Sequence, residues 1–262
     1  MVLTVHHLGI SQSERIVFLC EELGIKYDLK IHTRAPMLAP ESLSSIPGND
    51  TGKSPFIEDS DAGITLSESG AIVEYIINRY GGGKLSVKPD GANYDKYLHW
   101  FHWSNATLQP QMSASMWPAA DEATGKFREA RLHAALNVME SRLAESKWLA
   151  GDEFTAADIM PVWTLTTQRY WGPALDLSRY TNVLRWLQDV GARPGYQRAV
   201  SIDVRSLLCN MADLLTFTSQ MEKGDPEMQP LLSAKPPSKT LLEVGGVGAD
   251  VWKKQAKEGN RL

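Results

Sequence analysis

The stretch from Thr51 to Tyr75, TGKSPFIEDSDAGITLSESGAIVEY, constrains the fold more than any other part of the chain. Pro55 has no N–H and holds the residue before it extended, so Ser54 can offer its own N–H and C=O to a ligand. A strand follows at Phe56-Ile57-Glu58-Asp59, then a turn at Asp61-Ala62-Gly63 and a second short strand around Ile64-Thr65-Leu66. Ser67-Glu68-Ser69 opens a helix whose Ile72, Val73, Ile76, Ile77 and Tyr80 share one face at the helical period. The start of that helix offers N–H groups and the positive end of a dipole, which suits a carboxylate. A backbone edge and an anion pocket a few residues apart suit a small, extended, charged peptide.

Upstream, Leu3-Thr4-Val5-His6 alternates like a half-buried strand. His6 and His7 point to opposite faces of it and cannot chelate as a pair, which leaves them surface or packing roles. The run from Gly9 to Glu14 leads into a helix carrying Ile16, Leu19, Cys20 and Leu23, which Gly24 ends. Tyr27 to Ile31 is a second strand. Strand, helix, strand, then hairpin and helix is the thioredoxin-like order. Gly81-Gly82-Gly83 and Pro89-Asp90-Gly91 mark a boundary, beyond which the chain reads helical to about Ala199. One helix carries Tyr94, Tyr97, Leu98 and Phe101. A second, after Asp121, carries Leu132, Leu136, Met139 and Leu143. A third opens at Thr155-Ala156-Ala157-Asp158, where Thr and Asp can cap each other, and a fourth runs from about Thr181 to Gly191. The expected fold is an α/β thioredoxin-like N-terminal domain (1–82), a linker (83–93) and an all-α helical-bundle C-terminal domain (94–199). An atypical insertion (200–220) and a tail (221–262) follow.

Of 262 residues, 43% are apolar and 22% charged, and the net charge is −4, a balance that does not favour nucleic acid. No apolar run approaches the ~18 residues of a membrane helix. The opening MVLTVHHLG lacks a basic stretch followed by an apolar one, so a cytoplasmic setting is expected. Cys20 and Cys209 form neither a disulfide framework nor a CxxC motif, and His99, His102 and His133 form no metal constellation.

Gly52-Lys53-Ser54-Pro55, the hairpin and Glu68-Ser69-Gly70-Ala71-Ile72 together resemble the glutathione-binding half of cytosolic glutathione S-transferases, of the serine type found in fungi and bacteria. The run Gly151 to Asp158 resembles the folding motif of that family's helical domain, which gives Asp158 a structural role. The resemblance extends from about Leu3 to about Ala199. It implies glutathione as co-substrate, no metal, and a homodimer. It also implies that Lys53 lies near the glycyl carboxylate or a backbone carbonyl of glutathione, that Ser54 meets the cysteinyl unit, and that Pro55 is cis. Glu68 takes the γ-glutamyl ammonium and Ser69 its carboxylate. The loop before Gly52-Lys53 in the family often carries a proline, which Asn49-Asp50-Thr51-Gly52 lacks.

The chemistry implied needs a thiolate at neutral pH, and a free thiol has a pKa of about 8.5. Ser11 stands just before the first helix, where its hydroxyl can donate to sulfur and favour the charged form. The family's catalytic serine precedes an arginine by four residues, as Ser11 precedes Arg15. Ser11 can equally act as a helix cap, and Ser13 is the runner-up. No Cys occupies this turn, which argues against dithiol exchange. An apolar, electrophilic second substrate is expected between Ser11 and the helical domain, near Trp103, Met112, Met116, Trp117 and Tyr170, although such residues also serve as plain core. The expected function is attack of activated glutathione on such an electrophile, in detoxification or specialised metabolism. A non-catalytic binding module, or a glutathione-dependent peroxidase or isomerase, is the alternative.

Tyr196-Gln197-Arg198-Ala199 and Met221-Glu222-Lys223-Gly224-Asp225 resemble two halves of a run that often closes fungal and bacterial helical domains. Val200 to Gln220 splits it. Val200-Ser201 can be encoded as a splice donor, Ala212-Asp213 as a branch site and Gln220 as an acceptor. An in-frame retained intron in a fungal-type gene is one reading. A genuine added helix is the other, since Leu207, Leu208, Met211, Leu214 and Leu215 share a helical face. Sequencing transcripts across Ala199 to Met221 decides between them. The intron reading expects messages that lack the segment, and messages that uniformly contain it make the helix real.

Overall fold

The computed structural model describes residues 3–9, 11–32, 39–116, 119–166, 168 and 175–199. The chain divides into two compact units. One spans 1–86 and is joined by the stretch that begins at Pro194; the other runs from Val87 to Arg193. The insertion and tail expected over 200–262 lie outside the described residues.

The first unit contains β1 (Leu3–Leu8), α1 (Ser13–Leu23), β2 (Asp28–His32), α2 (Glu41–Ser44), β3 (Phe56–Asp59), β4 (Ile64–Ser67) and α3 (Ser69–Arg79). Its sheet has the order β2-β1-β3-β4, with β1 and β2 parallel and the other pairs antiparallel. A parallel pair needs a crossover, which α1 supplies. This is the thioredoxin-like arrangement expected. Gly24 closes α1 in the left-handed region, at φ 65°, with its N–H on the Cys20 carbonyl.

β1 departs from the half-buried strand expected. It is a central strand covered on both faces, and Leu3, Val5, His6, His7 and Leu8 are all buried. His7 faces α1, where Nδ1 lies 2.8 Å from Ser13 Oγ. His6 faces the other way. Its Nε2 lies 2.7 Å from Glu58 Oε1 and its Nδ1 2.9 Å from His32 Nε2, and His32 in turn reaches Ser42 Oγ on α2. The two histidines do face opposite sides, but each side is interior. Desolvation holds His6 and His32 below the ordinary histidine value. Four residues of alternation could not reveal the second cover, because Thr4 and His6 fill the polar positions and His6 finds its partners inside the fold.

Asp59 at the end of β3 accepts hydrogen bonds from the hydroxyls of Tyr75 and Tyr80, which ties the hairpin to α3. Residues of the stretch from Pro194 pack on α1: Tyr196 stands edge-on to Phe18, and Arg198 Nε donates to Glu21 Oε2 at 2.8 Å.

The second unit is helical, as expected. α4 (Tyr94–Trp103) runs through a π-helical turn, Ser104–Leu108, into α5 (Gln109–Met116); α6 (Glu122–Glu145), α7 (Ala156–Thr166) and α8 (Thr181–Gly191) follow. The π turn was not anticipated, and α5 was covered only by the general helical reading, because the segment QPQMSASM lacks any apolar period. Asp121 caps α6 through a 2.7 Å bond from the Thr124 N–H, and the expected stripe Leu132, Leu136, Met139 and Leu143 is buried. Thr155 and Asp158 both cap the start of α7: Thr155 Oγ1 accepts from Ala157 N–H, and Asp158 Oδ2 reaches back to accept from Thr155 N–H. Asp158 Oδ1 also accepts from Leu149 N–H and from the Trp186 indole, both at 2.9 Å. Burial pushes its carboxyl up to about 6, and those donors oppose the shift. Its two oxygens accept from these groups and join the loop before α7 to α8.

Candidate functional site

The candidate site is built in the first unit, where the turn after β1 meets the turn before β3 and the start of α3. Gln12 takes the cap position of α1 in helical conformation and makes no side-chain cap. The adjacent Ser11 does that work instead: its Oγ accepts from Ser13 N–H at 3.2 Å, and its carbonyl accepts from Glu14 N–H. The same hydroxyl lies 2.8 Å from Ser13 Oγ and donates to Ser54 Oγ at 3.2 Å. Capping and an outward hydroxyl thus coexist in one residue. Ser13, the runner-up, is fully buried and bonded to Leu8 N–H and His7.

The Ser54-Pro55 peptide is cis, as the resemblance implies. Lys53 is exposed, and its carbonyl accepts from Asn49 Nδ2 at 3.2 Å. Asn49 explains how this loop manages without the proline common in the family. It is buried, and its Nδ2 also donates to the Leu43 carbonyl, while Thr51 Oγ1 donates to its Oδ1 and Gly52 N–H to its carbonyl. One side chain thereby holds the end of α2 and the run into Lys53 together.

Glu68 immediately precedes α3 and is exposed, and its carbonyl accepts from Ile72 N–H. Its backbone sits at φ 71°, ψ 114°, a conformation that L residues with a Cβ rarely adopt. Such positions persist only where surrounding structure enforces them, at a cost of about 1–3 kcal/mol. Ser69 is buried at the first position of α3. Its Oγ accepts from Arg15 Nη1 at 3.2 Å and donates to Gln12 Oε1 at 3.4 Å, and Arg15 Nη1 also donates to Gln12 Oε1 at 3.0 Å. The beginnings of α1 and α3 are therefore held side by side. Desolvation lowers the Arg15 guanidinium below its ordinary value, and it remains a cation at neutral pH.

Ser11 and Ser54 are in direct contact, and Ser69 reaches the Ser11 turn through Gln12 and Arg15. Trp103 and Met112 lie in the second unit and are buried, with Trp103 packed against Trp100 at 4.9 Å between ring centroids. Met116 is the last residue of α5; Trp117 and Tyr170 lie outside the described residues. Sequence reasoning missed Gln12, the hydroxyl of Ser54 and the loop-organising Asn49. Gln12 and Arg15 stand three apart at a helix start, a spacing that places side chains together, and this signal was available. Ser54 was read for its backbone alone.

The chain matches the family models for the glutathione S-transferase N-terminal domain over residues 6–84 and C-terminal domain over residues 118–189. Glutathione S-transferase 3 of Schizosaccharomyces pombe is 30% identical over 211 residues, covering 74% of this chain and 84% of that protein. Glutathione S-transferase 3 of Zea mays is 31% identical over 166 residues, covering 58% of this chain and 72% of that protein. Among solved structures, a glutathione S-transferase from Actinobacillus pleuropneumoniae superposes with a TM-score of 0.69 at 26% identity, covering 77% of this chain and 92% of that one.

The conformation of Glu68 carries its own test. Glycine adopts positive φ without penalty, so Glu68→Gly should be more stable than Glu68→Ala by about 1 kcal/mol in denaturant unfolding. Equal stability of the two variants would show that the backbone here stores no strain.

Proposed function

Since the chain belongs to the glutathione S-transferase family, we propose that it is a transferase that ionises the thiol of glutathione and directs the sulfur at an apolar electrophile. The observation that carries this reading is the junction of Ser11, Ser54 and Ser69 in one hydrogen-bonded neighbourhood at two helix starts. Glutathione lies extended along the backbone of Ser54. Its γ-glutamyl ammonium meets Glu68, its γ-glutamyl carboxylate meets Ser69 and the N-terminal turn of α3, and Lys53 serves the glycyl end. Anions are favoured at such a helix start.

In this reading Ser11 donates its hydroxyl proton into a hydrogen bond with the cysteinyl sulfur. The hydrogen bond favours the thiolate, whose proton leaves to solvent. The sulfur lone pair then forms the new S–C bond, and the displaced electron pair moves onto the acceptor or its leaving group. The positive ends of α1 and α3 and the buried Arg15 cation add to the stabilisation of negative charge. The second substrate is an electrophilic, mostly apolar small molecule, in detoxification or specialised metabolism. A cytoplasmic setting fits; among the described residues no helix is long and apolar enough to cross a membrane.

Thiolate absorbance of bound glutathione, titrated against pH, tests the assignment. The wild type should ionise the thiol below its free value of about 8.5, and Ser11→Ala should raise that midpoint by about one, a tenfold drop in the ionisation constant. Equal midpoints would remove Ser11 from the chemistry, and a wild type that does not bind glutathione would leave a non-catalytic module. The family resemblance further implies a homodimer, so sedimentation at micromolar concentration should show twice the 29.1 kDa chain mass; a 29.1 kDa species alone would exclude it.

A further inference from the structure

Behind the Ser11 hydroxyl an unbroken line of hydrogen-bonding atoms runs into the sheet. Ser11 Oγ lies 2.8 Å from Ser13 Oγ, which lies 2.8 Å from His7 Nδ1. Ser13 and His7 are both fully buried. The alternation of β1 aims His7 at α1, and the β1–α1 turn sets Ser13 against it.

A serine hydroxyl has one proton and two lone pairs. One lone pair of Ser13 takes the Leu8 N–H at 3.1 Å, and Ser13 Oγ also lies within 3.3 Å of the Leu8 carbonyl. The two shorter contacts, to His7 and Ser11, then depend on the histidine tautomer. With its proton on Nε2, His7 presents Nδ1 as an acceptor; Ser13 donates to it, and Ser11 turns its own proton inward to Ser13. With the proton on Nδ1, His7 and the Leu8 N–H fill both lone pairs of Ser13, so Ser13 cannot accept from Ser11 and its own proton goes to Ser11 or to the Leu8 carbonyl. Ser11 in turn accepts Ser13 N–H at 3.2 Å. Its proton can then point only outward, the direction in which it meets Ser54 Oγ at 3.2 Å.

The direction matters because a thiolate only accepts. We propose that His7, carrying its proton on Nδ1, is a positioning residue that acts through Ser13 to hold the Ser11 proton outward, toward the sulfur of bound glutathione. This rests on the reading of Ser11 given above. His7 touches no substrate; it removes the alternative in which Ser11 faces inward. In the free protein the outward proton rests on Ser54, and the sulfur takes its place as acceptor on binding.

Two measurements test the relay. Nitrogen-15 NMR of the histidine rings in the free wild-type protein should show His7 protonated on Nδ1, and an Nε2-protonated ring overturns the proposal without any mutation. Thiol titration in glutathione complexes is the second. His7→Leu and Ser13→Ala should each raise the midpoint by about one, a tenfold drop in the ionisation constant, while glutathione Kd changes little. His7→Asn, which keeps an N–H donor, should restore most of the wild-type midpoint. Should the buried His7→Leu fail to fold, Ser13→Ala and the tautomer still decide. Variants that bind glutathione and titrate like the wild type refute the relay alone. A wild type that binds no glutathione refutes the enzyme reading and the relay with it.

Discussion

A buried guanidinium sets the layout of the first unit. Arg15 sits inside α1 and, among its contacts, donates to Gln12 Oε1 and Ser69 Oγ. A cation taken out of water is costly unless its donors are met, so the two helix starts that supply these acceptors cannot drift apart. The Ser11 turn belongs to one start and the Glu68-Ser69 step to the other. A single charge therefore fixes the separation of two places at which one small extended ligand would be gripped. The sheet supports this from beneath: β1 delivers the chain to Ser11, and its neighbour β3 begins directly after Ser54-Pro55.

Much of this was legible in the sequence, and for identifiable reasons. The Ser54-Pro55 step, the hairpin after it and the apolar stripe from Ile72 to Tyr80 are local signals. They specify their elements within a few residues and appear in the structure where expected. What escaped was non-local. The burial of β1 on both faces depends on Glu58 and on His32, which in turn reaches α2, partners far along the chain that no periodicity announces. α5 fell within the helical reading but was not set apart as an element, because its segment is polar and small and continues α4 through the π turn. The departure at Asn49 was visible as a missing proline. Its resolution was not, because a side-chain amide that holds two carbonyls leaves no mark on local pattern.

The candidate site shows the same division. Ser11, Ser54, Glu68 and Ser69 were named from sequence, and three of the four lie in one hydrogen-bonded neighbourhood. The parts played by the groups that hold them, Gln12, Ser13 and His7, came from geometry, although Ser13 was named from sequence as the runner-up to Ser11. A residue that could face a ligand belongs to a motif, whereas a residue that orients it owes its place to the depth of the fold.

Asp158 limits how this chain can change over evolutionary time. Every partner recorded for its two oxygens is a donor: two backbone N–H groups, an indole and a hydroxyl. An ionised carboxylate is all acceptor, and an amide of the same shape is not, since half of it would turn N–H groups toward other N–H groups. The smallest chemical step away from aspartate, to asparagine, is therefore closed, and glutamate would displace the two oxygens from their four donors. Neighbouring apolar residues of α7 can exchange among themselves with repacking. At Asp158 the donors around both oxygens leave no such exchange open, and this chain is held to one letter there by its own hydrogen bonds.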